Sequence, residues 1–203
     1  MHVAAVGEMP ASQAEGSRWL RAIYFLFFFS GFPALIYQLT WQRALFRIFG
    51  VNIESVTVVV TAFMLGLGLG SLCGGWLSSR VRMPLLCILA AIELLTAAYG
   101  LVSLTLFEWV GGSLVGVSLV AMAAATMALV FVPTFLMGAT LPLLVSHLVP
   151  QLRNVGRSVG TLYYANTLGA GAACLFSMVA LFPWMGMGGA IQVAAVINVA
   201  VAA

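Results

Sequence analysis

One carboxylate stands alone inside a long apolar run: Glu93, in LLCILAAIELLTAAYGLVSLTL. A charged group at mid-membrane depth costs several kcal/mol unless it is protonated, paired or wet. Thr96, Gly100 and Ser103 follow it at i+3, i+7 and i+10. On a helix these share its face and make a narrow polar stripe that must point away from lipid. Two chemistries suit that stripe. Glu93 is either a cation or proton site, or a protonated acid hydrogen-bonded to a neighbouring helix. A second group is Tyr163, Tyr164, Asn166 and Thr167. Tyr163, Asn166, Ala170, Ala173 and Ser177 fall on one helix face, and Gly160, Tyr164, Thr167 and Gly171 on the adjacent one. Small polar faces of this kind serve tight helix packing, or else line a ligand cavity. Tyr37, Gln38 and Trp41 form a third group, able to offer aromatic faces and an amide to a cation. For Trp41, anchoring at the membrane interface is the commoner role. Glu93, Thr96, Tyr37, Gln38, Trp41, Tyr163 and Asn166 are therefore the candidate intramembrane ligand or proton site.

Signals of soluble enzyme chemistry are missing. The sequence holds no HExxH, no GxSxG in a polar context and no P-loop Lys. Gly66-Leu67-Gly68-Leu69-Gly70 looks like part of a dinucleotide fingerprint, but it lies inside an apolar run. Cys73, Cys87 and Cys174 are isolated, with no CxxC pair. They read as buried small residues, not as a disulfide framework or a metal site. No cofactor and no metal are expected.

The elements that must position these residues are apolar helices. Of 203 residues, 63% are hydrophobic and 6% charged, and the mean hydropathy is +1.13. Soluble domains carry about 25% charged residues, so a water-facing coat cannot be built here. Disorder is excluded by the same composition. The apolar runs are continuous, not alternating, which disfavours a barrel. The reading is an all-α, polytopic membrane bundle of about six helices.

Residues 1–18 read as a flexible cytoplasmic tail, and residues 19–203 as the transmembrane domain. The first span is expected over Trp19–Leu39, with Pro33 as a kink. Tyr37 to Arg47 reads as a helix leaving the bilayer along the interface. The second span covers Glu54–Ser78. There Gly66, Gly70 and Gly74 recur every four residues and form a helix-packing face. The third covers Pro84–Leu106, and Glu108 to Gly112 reads as a turn. Ser113–His147 reads as one long fourth helix punctuated by Pro133 and Pro142, and Pro150–Gly156 as a polar loop. The fifth span covers Arg157–Phe182, Pro183–Gly189 is a turn, and the sixth covers Ala190–Ala203.

All eight basic residues are Arg. Arg18, Arg21, Arg80, Arg82, Arg153 and Arg157 fall on one side of this topology, and Arg43 and Arg47 on the other. Arginines collect in cytoplasmic loops, so both termini are expected in the cytoplasm. Arg43 and Arg47 are the exception and read as snorkelling side chains. The net charge of +3 fits that pattern and gives no reason to expect nucleic-acid binding.

Four strings carry a further likeness: FFFSGFPALIYQLTWQRALFRIFGVN (Phe27–Asn52), SVTVVVTAFMLGLGLGSLCGGWLSSR (Ser55–Arg80), PTFLMGATLPLL (Pro133–Leu144) and VGRSVGTLYYANTLGAGAA (Val155–Ala173). They resemble the membrane region of bacterial transmembrane spermidine-synthase-like proteins, in which a major-facilitator-like domain is fused to an aminopropyltransferase. The resemblance implies half of a major-facilitator-like bundle in the bacterial cytoplasmic (inner) membrane. The soluble synthase domain of that family is absent from this chain, so the resemblance implies no enzyme activity. Gly75-Trp76-Leu77-Ser78-Ser79-Arg80 also looks like the loop signature of major facilitators, with Ser79 where an Asp usually precedes the Arg. Two functional classes follow. The first is a non-catalytic accessory or structural subunit that packs with other membrane proteins. The second is a transport or ligand-binding domain for a polyamine or other organic cation, partnered with a soluble aminopropyltransferase.

Overall fold

A computed structural model describes residues 11–50, 53–80, 84–114, 116–152 and 154–203. Helices account for almost all of them: α1 (Ala11–Phe49), α2 (Ile53–Arg80), α3 (Leu85–Ser113), α4 (Leu119–Leu152), α5 (Val155–Phe176) and α6 (Phe182–Ala202), with a π-helical turn, Ser177–Leu181, joining the last two. No strand occurs among the described residues. Helices close every backbone hydrogen bond within the segment, which is the condition for lying in hydrocarbon.

Five helical runs are long and apolar enough to cross a membrane, not six. The expected fifth and sixth spans form one run, Val155–Ala202. Pro183 sits in the first turn of α6, directly after the π-helical turn. Only Gly186 leaves helical geometry in the expected turn, at φ 64° and ψ −169°. The chain reverses there. Phe182 lies beside Arg43 near one end of α1, whereas Asn198 reaches the cavity that holds Ser30 and Glu93.

Other boundaries shift as well. Helix α1 begins at Ala11 inside the expected tail, and it continues through Pro33 to Phe49. Residues 1–10 lie outside the described residues. Tyr37 and Trp41 are fully buried, so the expected interfacial helix is instead the core-facing second half of α1. Glu108 to Gly112 is helical, and α3 ends at Ser113. Pro150 lies within α4. Asn154 caps α5, its Oδ1 accepting from the Arg157 N–H at 2.9 Å.

Helices α1, α3 and α5 run parallel. Ser30 meets Glu93, Trp41 meets Ser103, Gly111 meets Ile48, and Tyr24 meets Thr161. Helices α2 and α4 run parallel to each other, pairing Gly66 with Thr134 and Ser78 with Ser146. The predicted glycine face makes this contact. A Cβ on Gly66 would strike the Thr134 hydroxyl, one on Gly70 the Phe135 carbonyl, and one on Gly74 would come 2.6 Å from the Ala139 carbonyl. In lipid, helices associate through such close approach because hydrocarbon gives no hydrophobic drive between them. The helix-packing face expected at Gly66, Gly70 and Gly74 is therefore filled from within the chain.

The main core gathers Ile36, Tyr37, Trp41, Leu45, Phe63, Phe107 and Val130. A second cluster, Ile23, Phe27, Leu144, Leu148 and Leu162, closes the other end. Large apolar side chains such as Leu72, Val179 and Trp184 point outward, as a lipid-facing surface requires.

Candidate functional site

Glu93 sits on the inner face of α3 and is 4% exposed. The Ser30 hydroxyl of α1 donates to its Oε1. Both line a cavity of about 330 Å³, walled also by Gln38, Thr96, Asn166, Tyr163 and Asn198. Drug-sized ligands occupy pockets of about 300–1,000 Å³, so the space suits a small solute. Among the described residues, no basic side chain lines it, and Glu93 carries the only ionisable acid there.

Close backbone approaches bring the polar groups together. A Cβ on Gly31 would overlap Asn166, so the α1–α5 contact at this level depends on glycine. The same approach repeats where Gly169 meets the Phe28 carbonyl. Asn166 reaches the cavity because α5 lies this near α1. Gly100 plays the equivalent part on α3, where a Cβ would strike the Tyr37 ring.

Five of the seven sequence candidates line the cavity: Glu93, Thr96, Gln38, Tyr163 and Asn166. Tyr37 and Trp41 do not. They stack on each other beneath it, ring centroids 5.1 Å apart and 17° between planes. Trp41 Nε1 donates to Ser103 Oγ at 2.8 Å, and Ser103 donates to the Gly100 carbonyl at 2.6 Å. Ser103 thus serves the core and not the cavity. Tyr163 presents most of its surface outward, being 60% exposed.

Sequence reading missed Ser30 and Asn198. Ser30 lies in an aromatic run, and Tyr37 at i+7 was the periodic signal that could have tied it to the site. Asn198 is a lone amide among Ala, Val and Ile, and the expectation attached to intramembrane polar residues could have flagged it. Its Oδ1 is buried and without a hydrogen-bond partner, as are Thr96 Oγ1 and Tyr37 Oη. Ser177 Oγ is the fourth such atom among the described residues, and two of the four belong to residues that line the cavity. Buried polar atoms are nearly always paired, so Thr96 and Asn198 bring to the cavity polar atoms that bond no other described residue.

No protein-family model, curated protein or solved structure matches the chain. The resemblance to transmembrane spermidine-synthase-like proteins rests on the four quoted strings alone.

Arg43 and Arg47 lie at the end of α1 opposite Arg21. Arg43 is held there: its Nη2 is 3.1 Å from Met178 Sδ in the π-helical turn. Its guanidinium also lies 4.0 Å from the Phe182 ring centroid, within the range where a ring face attracts a cation. Arg21, Arg80 and Arg157 share the other end of the bundle. Arg82 and Arg153 lie outside the described residues, as does the side chain of Arg18.

Proposed function

We propose that this chain is a membrane-embedded binding or transport domain for a small organic cation, with Glu93 as the counter-charge. The observation that carries the reading is a carboxylate 4% exposed, turned into a cavity with amide and hydroxyl neighbours and, among the described residues, no basic side chain. A cation entering the space gains its counter-charge and satisfies acceptors such as Asn198 Oδ1. The accessory-subunit reading has no comparable observation behind it, since α4 occupies the glycine face of α2. The resemblance supports the same class of ligand and suggests a soluble aminopropyltransferase as partner. It also suggests the bacterial cytoplasmic membrane, and the arginine asymmetry supports an N-terminus on the inside. The reading assigns no reaction to this chain.

Calorimetric titration of the purified chain in nanodiscs, with a mono-, di- or triamine as probe, tests it. Saturable binding lost in Glu93→Gln, with the thermal melt unchanged, supports the site. Absence of binding by every amine, or equal binding by Glu93→Gln, overturns it.

A further inference from the structure

The cavity that holds Glu93 is unequal along its length. Where Ser30 of α1 meets Glu93 of α3, its wall is polar. Glu93, Thr96 and Asn198 all line it, and they are 4%, 3% and 2% exposed. Thr96 Oγ1 and Asn198 Oδ1 have no hydrogen-bond partner among the described residues. Gln38 lines the other end, about 12 Å of helix beyond Ser30 at about 1.5 Å per residue. Between the two levels stand the apolar side chains of Leu35, Phe63, Leu67 and Met137. Phe63 lies beside Trp41, ring centroids 6.5 Å apart, which sets it at the Gln38 end. Among the described residues no second acid lines the cavity. Glu54 and Glu108 stand near the ends of α2 and α3.

We infer that the ligand of this cavity is a primary monoamine with an apolar body, its ammonium against Glu93 and its carbon chain along Leu35, Phe63 and Met137; the inference rests on the cation reading above. A primary ammonium carries three N–H donors and no acceptor. The Glu93 carboxylate, Asn198 Oδ1 and Thr96 Oγ1 offer acceptors for all of them. A trimethylated ammonium has the charge but no donor, and it leaves the Asn198 and Thr96 oxygens unmet. A diamine brings a second charge to a wall without a carboxylate, ending at the neutral Gln38 amide. Burying a charge without a counter-charge is strongly unfavourable, so the second amine works against binding.

Calorimetric titration of the full chain in nanodiscs, with empty nanodiscs as the blank, compares hexylamine, its terminal diamine and its trimethylammonium analogue. Hexylamine should bind about tenfold or more tighter than either, and Glu93→Gln should abolish that binding. Gln38→Glu supplies a carboxylate at the far end and should narrow the gap between hexylamine and the diamine several-fold. Thermal melts confirm that each variant is folded. Should Gln38→Glu not fold, the ranking by the parent decides alone. Diamine or trimethylammonium bound as tightly as hexylamine, yet lost in Glu93→Gln, would overturn the inference and leave the cation site standing. A gap unchanged in folded Gln38→Glu would overturn it as well. No saturable binding of any of the three would remove both the inference and the cation site.

Discussion

Tyr99 and Glu93 show how single polar groups are accommodated where water is absent. Pro133 lacks an N–H and so frees the Leu129 carbonyl one turn earlier in α4. The Tyr99 hydroxyl donates to that carbonyl. A proline in one helix is thus answered by a phenol in another, one of the ways membrane helices tolerate proline. Tyr99→Phe should lower stability by about 1 kcal/mol, since it unpairs a carbonyl while keeping the ring. Unfolding in mixed detergent micelles measures this, and an unchanged midpoint would show that the carbonyl finds another donor. Glu93 differs, because its Ser30 partner supplies one hydrogen bond and the rest of the carboxylate faces open space. Glu93→Gln keeps shape and hydrogen bonding, so the cavity should keep its form and lose its cation. Glu93→Leu should destabilise the fold by about 1–3 kcal/mol, through the unpaired Ser30 hydroxyl.

Among the elements, α2 and α4 make the most intimate pair. Gly70 lies against the Phe135 backbone, which cannot move aside as a flexible side chain would. Gly68 on the same helix has open space where a Cβ would stand. Gly70→Leu should therefore cost about 1–3 kcal/mol or more by forcing the helices apart, while Gly68→Leu should be nearly silent. Comparing the two melts isolates packing from helix propensity, because both variants gain the same side chain. Equal melts would mean that α2 does not depend on α4. The break at Gly186 is the other element-level device. Its φ of 64° with ψ −169° lies in a region nearly reserved for glycine, so Gly186→Ala should cost about 1–3 kcal/mol. A stability loss well below that would indicate that the turn relaxes to another conformation.

At the scale of the whole molecule, alternating helix directions set Ser113 and Asn154 at opposite ends of the bundle. Arg21, Arg80 and Arg157 gather at the Asn154 end. Arg43 and Arg47, with Glu54 and Glu108, gather at the other, where the positive and negative charges balance. Arginine-rich ends stay in the cytoplasm. With native cysteines removed, an impermeant thiol reagent added to intact cells should label a Cys at Ser113 and spare one at Asn154. Labelling in the reverse pattern would invert the orientation.

Composition and periodicity by themselves determined the helical class, because 63% hydrophobic residues in unbroken runs admit no other backbone solution in lipid. They also determined that Gly66, Gly70 and Gly74 form one packing face, since a four-residue repeat on a helix keeps one side. Glu93 and its cavity neighbours Gln38, Thr96 and Asn166 were legible because polar residues in apolar runs must face inward, whereas Tyr163 lines the cavity while keeping most of its surface outward. What those faces meet was decided only by the tertiary structure. Nothing local tells α2 that its partner is α4, because any small-residue face would serve. Trp41 carries the same chemistry at an interface as in a core, and only the arrival of Ser103 on α3 settles its burial. Turn signals misled at Glu108–Gly112, which is helical, whereas the turn expected at Pro183–Gly189 is made at Gly186. Glycine and proline permit a break in a helix without requiring one, and only Gly186 took the backbone out of helical geometry. Asn198 became part of the site through that reversal, which returns the last helix to the middle of the bundle beside a residue more than a hundred positions away.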